Sequence, residues 1–400
     1  MTRILALILF VFIAVAPVSS YAQKRPPTLA SHAYMVDFET GMVLYEKNPD
    51  VRMPTSSMSK VMTMYLVFDA LKSGQISLND EFLVSEKAWR KGGSKMFVEV
   101  DKSVRVEDLI RGVVIQSGND ATIVLAEGLA GTEDYFAKAL TAKAKELGMN
   151  NSNFMNASGW PDPDHYSTPR DLTTLAVAMI RDFPDYYHYF GEKEFTYNKI
   201  TQRNRNPLLY RNIGADGMKT GHTEVGGYGL IGSGVHNGRR VVLVVNGLED
   251  EQARAKEAAK LLEWGLRGFQ NVELVAGNEP VLDVPVAVGK EKSVAAVTGR
   301  DLKVTLPTLS RQGLKIQVKM IQPLIAPVQK GQQIGVMSID VPQLSTFEVP
   351  LVAAQDVHKM GLISRTFAKA KRLFFARARP PADEGGVPPF RDLKEKTING

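Results

Sequence analysis

The sequence predicts an α/β domain of the α+β kind, in which helices flank an antiparallel sheet. A small all-β domain and a C-terminal amphipathic helix are predicted to follow it. Three observations predict this arrangement. A hairpin pattern with an Asn237-Gly238 turn stands between helical patterns, as in an antiparallel sheet covered by helices. After Gln270 the pattern changes to short alternating apolar runs rich in proline and glycine. Residues 357–379 then combine an apolar face with cations.

Composition limits the possible classes of protein. The 400 residues, 44% hydrophobic and 23% charged, suffice for one large domain and a smaller one. Residues 1–22 have the basic start, apolar run and small residues of a secretory signal peptide, so we expect the mature chain to begin at Gln23. The alternative is an uncleaved anchor. The chain has no cysteine and its six histidines lack ligand-like spacing, so we expect no disulfide, metal or cofactor.

The first domain is predicted over residues 23–269. Its periodicity predicts a hairpin over 33–46, helices over 58–71, 106–115, 121–130, 134–147 and 172–181, a hairpin over 226–246 and a last helix over 251–269. Residues 75–105 show only weak periodicity, and 150–171 read as a loop. At the end of this loop Thr168, Pro169 and Asp171 fit the start of a helix. Asp171 could also be an active-site acid, although the capping role explains it.

The second domain is predicted over residues 270–355. Its short strands and absence of a convincing helical pattern predict a small β-sandwich or barrel. Since it contains no nucleophile or metal constellation, we expect it to act as a spacer that holds the first domain away from a membrane.

The formal charge of +6 arises from one segment. Residues 357–379 hold seven lysines and arginines and no acid, and the rest of the mature chain is slightly acidic. A basic chain of this kind does not predict nucleic-acid binding. We expect residues 356–379 to form a helix lying on an anionic membrane surface, with the alternative of a helix docked on its own domain. Residues 380–400 read as a disordered tail. The apolar positions that share one helical face are Met360, Ile363, Phe367, Ala370 and Phe374.

The strongest chemical signal is the pair Ser57 and Lys60. Residues three apart share one side of a helical turn, and the apolar run Met58 to Leu71 predicts a buried helix behind them. Burial and the positive end of this helix would lower the pKa of the lysine towards that of a usable base. The alternative is a helix-capping serine followed by a surface lysine, because a lone Ser-x-x-Lys match arises by chance about once or twice in such a chain.

Two further motifs strengthen the first one. Ser117-Gly118-Asn119 lies between two predicted helices, and Lys219-Thr220-Gly221 enters the predicted hairpin. The order Ser-x-x-Lys, Ser-x-Asn, Lys-Thr-Gly is much rarer than any one of these motifs. It is the signature of serine β-lactamases and penicillin-binding proteins.

On these residues the sequence resembles the low-molecular-mass penicillin-binding proteins that act as D-alanyl-D-alanine carboxypeptidases. The likeness runs from about Ala33 to Phe269, and the β-rich domain and C-terminal helix also match that family. The segments that carry the likeness most clearly are 53–63, 115–121, 165–167 and 219–223. The resemblance implies a β-lactamase/transpeptidase-like domain that removes the terminal D-alanine from peptidoglycan stem pentapeptides.

The resemblance also implies roles on the nucleophile side of the site. Ser57 would form the acyl-enzyme, and Lys60 would accept its proton and later activate the deacylating water. Ser117 would relay the proton to the leaving D-alanine amine. Asn119 would hold Lys60 and bind the substrate amide.

On the recognition side, Lys219 and the Thr220 hydroxyl would bind the terminal carboxylate of the substrate. The strand after Gly221 would bring the backbone N–H of His222 to an oxyanion hole shared with that of Ser57. The physical chemistry agrees, because a substrate that ends in a carboxylate requires a fixed cation.

The resemblance implies β-lactams as covalent inhibitors, and an exported protein held by its C-terminal helix on the periplasmic face of the cytoplasmic membrane. Two other functions remain open at this point. A β-lactamase is disfavoured because Gly118 stands where many of those enzymes have Asp, and because residues 150–171 contain no glutamate. A non-catalytic peptidoglycan-binding scaffold is disfavoured because every expected side chain is present.

Overall fold

The computed structural model describes residues 25–308, 314–321, 323–341, 344 and 346–361. The predicted signal peptide over 1–22, residues 362–379 of the predicted anchor and the predicted tail over 380–400 lie outside the described residues. In the part of the chain that is described, no helix is both long and apolar enough to cross a bilayer.

The first domain contains both helices and strands. Its α-helices are α1 Lys60–Lys72, α2 Glu86–Arg90, α3 Val106–Val114, α4 Asn119–Ala130, α5 Glu133–Glu146, α6 Pro169–Asp182 and α7 Glu251–Arg267. Short 3₁₀ helices lie at Ser56–Ser59, Tyr187–Gly191 and Pro207–Tyr210. Its strands are β1 His32–Asp37, β2 Val43–Lys47, β3 Glu81–Leu83, β4 Ser103–Arg105, β5 Glu194–Tyr197, β6 Ile200–Arg203, β7 Ala215–Thr223, β8 Gly227–His236 and β9 Arg239–Leu248.

A five-stranded antiparallel sheet in the order β2-β1-β9-β8-β7 organises this domain. Strands β8 and β9 join through Asn237 and Gly238, whose φ angles of 49° and 77° match the tight turn that an Asn-Gly pair favours. Along β9, Val242 and Val244 enter a core shared with α1 and α6, whereas Val241 and the other odd-numbered positions pack with α7. Helices therefore cover both faces of the sheet, as predicted, and β7 is left at its edge.

Helix α1 is the centre of the helical layer. Its residues are apolar nearly all round, and Phe68 and Met62 are fully buried in the main core. A 3₁₀ turn at Ser56–Ser59 leads into it, so the regular α-helix begins at Lys60 rather than at the predicted Met58. The helix after the loop begins at Pro169, where the Thr168 hydroxyl accepts a hydrogen bond from the N–H of Asp171.

Asp171 has a structural role in this helix start. Its carboxylate accepts hydrogen bonds from the Asn151 N–H at 2.9 Å and the Ser152 hydroxyl at 2.7 Å. These bonds tie the beginning of the 150–171 loop to the first turn of α6. They support the structural interpretation of Asp171 over the catalytic one.

The second domain is all-β in its described residues. Its strands are β10 Phe269–Val275, β11 Leu282–Ala287, β12 Ser293–Val297, β13 Leu302–Pro307, β14 Lys315–Met320, β15 Leu324–Ile325, β16 Gln333–Asp340 and β17 Phe347–Ala353. A six-stranded sheet in the order β14-β16-β17-β12-β11-β15 and the β10–β13 pair enclose a separate apolar core. The turn of the first hairpin meets this domain, since Glu39 pairs with Lys303 at 2.6 Å and Thr40 bonds Thr305 at 2.6 Å.

One boundary of the predicted amphipathic helix was wrong. Residues 356–361 are not helical; Val357 pairs with Val328, and Lys359 with Gly289, as isolated β-bridges. Val357 is fully buried in the second domain. Since residues 358–361 are not helical either, a helix that follows can begin no earlier than residue 362, outside the described residues.

Candidate active site

Ser57 lies on the 3₁₀ turn that precedes α1, and it is the accessible member of that turn. Ser57 is partly exposed while Ser56 and Met58 on either side are buried. The turn is held against the edge strand β7. A Cβ on Gly221 would lie 2.9 Å from the Thr55 carbonyl oxygen, so only glycine lets the two backbones approach this closely. The hydroxyl of Ser56 also donates to that of Thr223 at 3.1 Å.

Lys60 is fully buried, and its amine lies beside the Ser57 hydroxyl. The Nζ–Oγ distance is 2.8 Å. The same nitrogen donates to Asn119 Oδ1 at 2.8 Å and to the Ser158 carbonyl at 2.7 Å. Three partners fix the position of the amine, and one of them is the hydroxyl from which a proton would be taken.

The surroundings of Lys60 favour its neutral form. Burial lowers the pKa of this amine well below its usual value, and the nearby charges of Arg205 and Lys91 lower it further. Asp120 acts in the opposite direction. A neutral amine has a lone pair that can accept the Ser57 proton, which an ammonium lacks.

The start of α4 contributes Ser117 and Asn119. Ser117 has a φ of 63° and a buried hydroxyl that finds no hydrogen-bond partner within the described residues. A strained backbone and an unpaired buried hydroxyl are unusual, and both occur at functional sites. Asn119 bonds Lys60 through its oxygen and the Gly92 carbonyl through its nitrogen, at 2.9 Å. It therefore links α1 to the loop at residues 92–98.

Asp120 organises that loop, and no sequence motif had marked this residue. Its buried carboxylate accepts hydrogen bonds from the N–H groups of Met96 and Phe97, each at 2.9 Å, and from Val98 at 3.3 Å. The β5–β6 hairpin, which periodicity had also missed, supports the same loop from outside. Its Asn198 side chain donates to the Phe97 carbonyl at 3.0 Å.

The third motif lies on the edge strand β7. Lys219, Thr220 and Gly221 are all buried, whereas His222 is exposed and stacks on Tyr228 with ring centroids 3.9 Å apart. The Lys219 amine donates to the Thr220 carbonyl at 3.1 Å. Burial lowers the pKa of Lys219 well below its usual value, and the charges of Lys60, Arg205 and Arg254 add to the effect.

Two arginines that the sequence analysis missed complete this positive cleft. Arg254, on α7, is buried, and its guanidinium lies 5.5 Å from the Tyr228 ring centroid and 3.5 Å from Glu251. Arg205 donates to the Ser94 hydroxyl at 2.5 Å and so reaches across from the 204–206 segment to the loop near α4. Neither arginine belongs to a local motif, so no sequence signal could have selected it.

The 150–171 loop forms the wall behind Ser57. Gly159 has a φ of 77°, and a Cβ there would overlap the Ser56 carbonyl oxygen. His165 is buried beneath the 3₁₀ turn that carries Ser57, where its Nε2 lies 2.7 Å from the Ser59 hydroxyl and its Nδ1 accepts from the Met155 N–H at 3.1 Å. Burial lowers the pKa of His165 to about 4. The imidazole is therefore neutral at pH 7, with its proton on Nε2.

The structure brings the three motifs into one cleft. Direct hydrogen bonds join Lys60 to Ser57 and to Asn119, and Lys60 lies close enough to Lys219 for its charge to lower the pKa of Lys219. An attackable hydroxyl, a buried amine and a positive cleft on an α/β scaffold are the features of a serine enzyme that acts through an acyl intermediate on an anionic substrate.

Comparisons with known proteins identify the family. The model of the D-alanyl-D-alanine carboxypeptidase family, peptidase S11, matches residues 20–250, and the model of the penicillin-binding protein 5 C-terminal domain matches residues 269–359. The D-alanyl-D-alanine carboxypeptidase DacC of Escherichia coli is 36% identical over 367 residues, which cover 90% of this chain and 92% of that protein. DacA of Haemophilus influenzae is 34% identical over 374 residues, covering 91% and 95%.

The fold agrees with these matches. The crystal structure of penicillin binding protein 5 from Haemophilus influenzae superposes with a TM-score of 0.77 at 35% identity, covering 84% of this chain and 99% of that one. A mutant of the Streptomyces K15 DD-transpeptidase has a TM-score of 0.57 at 27% identity and covers 60% of this chain and 99% of its own.

The chain belongs to the D-alanyl-D-alanine carboxypeptidase family, peptidase S11, of penicillin-binding protein 5-like enzymes. It is a serine-type carboxypeptidase, which confirms the predicted family, fold class and enzyme class. The predicted β-lactamase and scaffold alternatives gain no support from these matches.

Proposed function

We propose that this enzyme removes the terminal D-alanine from peptidoglycan stem pentapeptides through an acyl-enzyme on Ser57. The observation that carries the proposal is the 2.8 Å contact between the buried amine of Lys60 and the Ser57 hydroxyl. That amine has a lowered pKa and two further partners that hold it in place. A fixed neutral amine beside a serine is the arrangement that general-base activation requires.

Acylation follows from this geometry. Ser57 Oγ attacks the carbonyl carbon of the penultimate D-alanine while its proton passes to Lys60 Nζ. The oxygen of the tetrahedral intermediate carries the negative charge, and the backbone N–H groups of Ser57 and His222 are the proposed donors to it. The C–N bond then breaks, and the leaving amine takes up the proton that Lys60 accepted.

Ser117 is the proposed path for that proton. Its buried hydroxyl has no partner within the described residues and is therefore free to bridge the lysine and the leaving nitrogen. In deacylation a water molecule gives its proton to Lys60 and attacks the ester carbon, and Ser57 Oγ recovers a proton as the ester bond breaks. Asn119, already bonded to Lys60, holds the amine through both steps and offers its side chain to the substrate amide.

The terminal carboxylate of the substrate is the proposed partner of Lys219, Thr220 and Arg254. A buried lysine surrounded by other cations is costly to keep charged, and an incoming carboxylate supplies the missing negative charge. A substrate with a blocked C-terminus lacks that charge. The positive cleft therefore accounts for selection of a peptide with a free carboxyl end.

We also propose that the protein works in the periplasm. The signal pattern over 1–22 supports export, and the cations that begin with Arg365 support attachment to an anionic membrane surface. The same cleft accounts for β-lactams as covalent inhibitors, since these molecules present a carboxylate next to an acylating carbonyl.

The test is D-alanine release from diacetyl-Lys-D-Ala-D-Ala by residues 23–400. We expect release by the wild type, none by Ser57→Ala, and wild-type release by the control Ser73→Ala, whose hydroxyl bonds the Ala70 carbonyl at the far end of α1. Rapid penicillin hydrolysis without D-alanine release would favour a β-lactamase. Absence of penicillin labelling together with absence of release would leave only a binding role.

A further inference from the structure

One end of the six-stranded sheet in the second domain gathers exposed apolar and basic side chains. The strand register brings the turn between β11 and β12, the two ends of β15 and the chain after β17 to this end. Backbone hydrogen bonds join these segments, since Lys290 donates to the His358 carbonyl at 2.8 Å and Ala326 to the Ala287 carbonyl at 3.0 Å. We call this surface the exit face, and it comprises Ile321 and residues 288–292, 323–330 and 356–361.

The exit face lies at the end of the sheet that is distant from the first domain. Leu344, in the turn between β16 and β17, packs against the apolar cores of both domains. Strand β16 has eight residues, so it separates this turn from the exit face by roughly 26 Å. A partner at the exit face therefore does not have to displace the contact between the two domains.

Two isoleucines give the exit face an apolar surface. Ile321 and Ile325 are 54% and 55% exposed, and no other large apolar side chain among the described residues of the second domain is exposed. The two residues are separated by the short connection that leads from β14 into β15. Apolar side chains exposed singly need no partner, so it is their confinement to one end, together with the charges there, that indicates a contact surface.

The charges of the exit face are mainly positive. Its exposed charged side chains are Lys290, Lys292, Lys330, Lys359, Glu291 and Asp356. None of them forms an ion pair within the described residues, although Asp356 accepts a bond from the backbone N–H of Lys330 at 2.7 Å. Four lysines against two acids give a formal charge of +2, with the exposed His358 counted as neutral. Lys319, two residues before Ile321, is also exposed and adds to this charge.

The described part of the chain ends at this face. Met360 donates its backbone N–H to the Val288 carbonyl at 2.9 Å, and Gly361 follows it. Arg365, the first cation of the segment proposed to attach to a membrane, is four residues further along the sequence. Four residues span at most about 14 Å even when fully extended. A membrane that holds Arg365 therefore lies within reach of the exit face.

Charge decides between a lipid surface and the protein's own C-terminal segment as the partner. Residues 362–379 carry six lysines and arginines and no acid. Docking that segment on the exit face would bring like charges together, whereas an anionic bilayer supplies the opposite charge.

We propose that the exit face rests on the anionic surface of the membrane. Its lysines lie among the lipid headgroups, and Ile321 and Ile325 lie at the boundary between the headgroups and the acyl chains. Two isoleucines and a charge of +2 bind such a surface only weakly, so this contact orients the β-domain and does not by itself anchor the protein. The inference rests on the proposed membrane attachment and adds to it a second contact, made by the folded domain.

The experiment uses the absence of cysteine from the chain, because a single introduced cysteine then carries one fluorescent label. Ile325→Cys places a nitrobenzoxadiazole label on the exit face, and Thr346→Cys, exposed near the opposite end of the sheet, is the control. Each labelled chain of residues 23–400 is bound to vesicles of equal parts phosphatidylcholine and phosphatidylglycerol. We expect the emission at position 325 to shift to shorter wavelength and its quenching by acrylamide to fall about threefold, with no change at position 346.

A second measurement tests the charges. The double variant Lys290→Gln, Lys292→Gln should bind these vesicles about 10- to 30-fold more weakly than the wild type, and the difference should shrink as salt rises. The control Arg300→Gln, Lys315→Gln removes the same charge from exposed positions at the other end of the sheet and should bind close to wild-type affinity. Both variants should release D-alanine at the wild-type rate.

The outcomes separate this inference from the proposed attachment. Vesicle binding with equal label responses at the two positions, or with equal affinities of the two double variants, would overturn the inference and leave the attachment intact. A label at position 325 that is already shielded without vesicles would show that the C-terminal segment covers the exit face, and would also overturn it. No binding of the full chain to the vesicles would overturn the attachment and this inference together.

Discussion

Two buried lysines of the site differ in what surrounds their amines. Lys60 Nζ has three hydrogen-bond partners, one of them the Ser57 hydroxyl, whereas within the described residues Lys219 Nζ donates to the neighbouring Thr220 carbonyl. Burial lowers the pKa of both groups. We infer that Lys60 exchanges a proton with the serine, and that Lys219 regains its charge when a carboxylate arrives.

Replacing Lys60 by arginine tests the first role. Arginine stays protonated and cannot accept the serine proton, so we expect acylation by a fluorescent penicillin to slow by about 10²- to 10⁴-fold. The rate of labelling, taken from samples quenched at successive times, measures this effect. The variant Lys72→Arg, at the exposed end of α1, is the matched control and should label at the wild-type rate. Rapid labelling of the Lys60 variant would exclude Lys60 as the base.

Replacing Lys219 by methionine tests the second role. The variant should lose carboxypeptidase activity and yet melt at about 2–4 °C higher temperature at pH 6, because a buried cation without a counter-charge is removed. The unfolded chain binds a proton at Lys219 at pH values where the folded chain has lost it. Wild-type stability therefore rises with pH between the lowered pKa of Lys219 and its usual value, and the melting difference should shrink over that range. A variant that melts lower than the wild type at pH 6 would contradict this account.

At the scale of elements, the 3₁₀ turn at Ser56–Ser59 is held between the edge strand β7 and the 150–171 loop. Gly221 allows close approach on one side, and Gly159 does so on the other. Below the turn, Thr55, Ser59 and His165 form a chain of hydrogen bonds at 2.5 and 2.7 Å. The position of Ser57 thus depends on contacts distant in sequence.

The His165 chain should make stability sensitive to acid. Its pKa of about 4 lies below the usual value of 6.5, so between these values only the unfolded chain binds the proton. The neutral His165 therefore contributes about 3 kcal/mol to the free energy of unfolding above pH 6.5, and this contribution is lost as the pH falls to 4. His165→Gln offers the same donor and acceptor without titrating, so its melting temperature should fall less between pH 7 and 4. The exposed His188→Gln is the control and should follow the wild type.

The contact at Gly159 predicts a selective loss of activity. An alanine there would push against the Ser56 carbonyl and displace Ser57, so we expect acylation to fall at least tenfold. Gly148→Ala carries the same kind of backbone strain, with a φ of 84°, but meets no atom within 4 Å. It should cost about 1 kcal/mol of stability and leave the acylation rate unchanged. Equal acylation rates in the two variants would contradict the role given to Gly159.

The sequence predicted most of the site because its motifs depend on local geometry. Ser57 and Lys60 share a turn wherever that turn lies in the fold, and the Asn237-Gly238 pair specifies its own hairpin. Arg254 and Asp120 could not be predicted in this way. Arg254 reaches the cleft only because α7 packs on the sheet, and Asp120 acts only because a loop more than twenty residues earlier folds onto it.

The predicted start of the C-terminal amphipathic helix shows the same limit of prediction from local sequence patterns. Val357 was predicted to belong to the amphipathic helix, yet it is buried against the second domain and pairs with Val328. Alternation and helical periodicity coincide over such a short stretch, and tertiary packing decides between them. At the scale of the whole molecule, a catalytic domain and a β-domain precede a cationic segment.

Two truncations test this organisation. A chain that ends at Gly361 keeps the β-bridges of Val357 and Lys359, and should leave the membrane fraction while cleaving the tripeptide at the wild-type rate. A chain that ends at Asp356 also loses the buried Val357, and should be about 1–3 kcal/mol less stable to urea. Membrane association that persists after truncation at Gly361 would exclude the proposed anchor.

The most direct measurement of the central claim is the mass and position of the adduct formed with benzylpenicillin. Intact mass spectrometry followed by peptide mapping should find one penicilloyl group per chain, on the peptide that contains Ser57. The adduct should be absent from Ser57→Ala. An adduct on Ser117 or on any other residue, or no adduct on a folded wild-type protein, would contradict the assignment of Ser57 as the nucleophile.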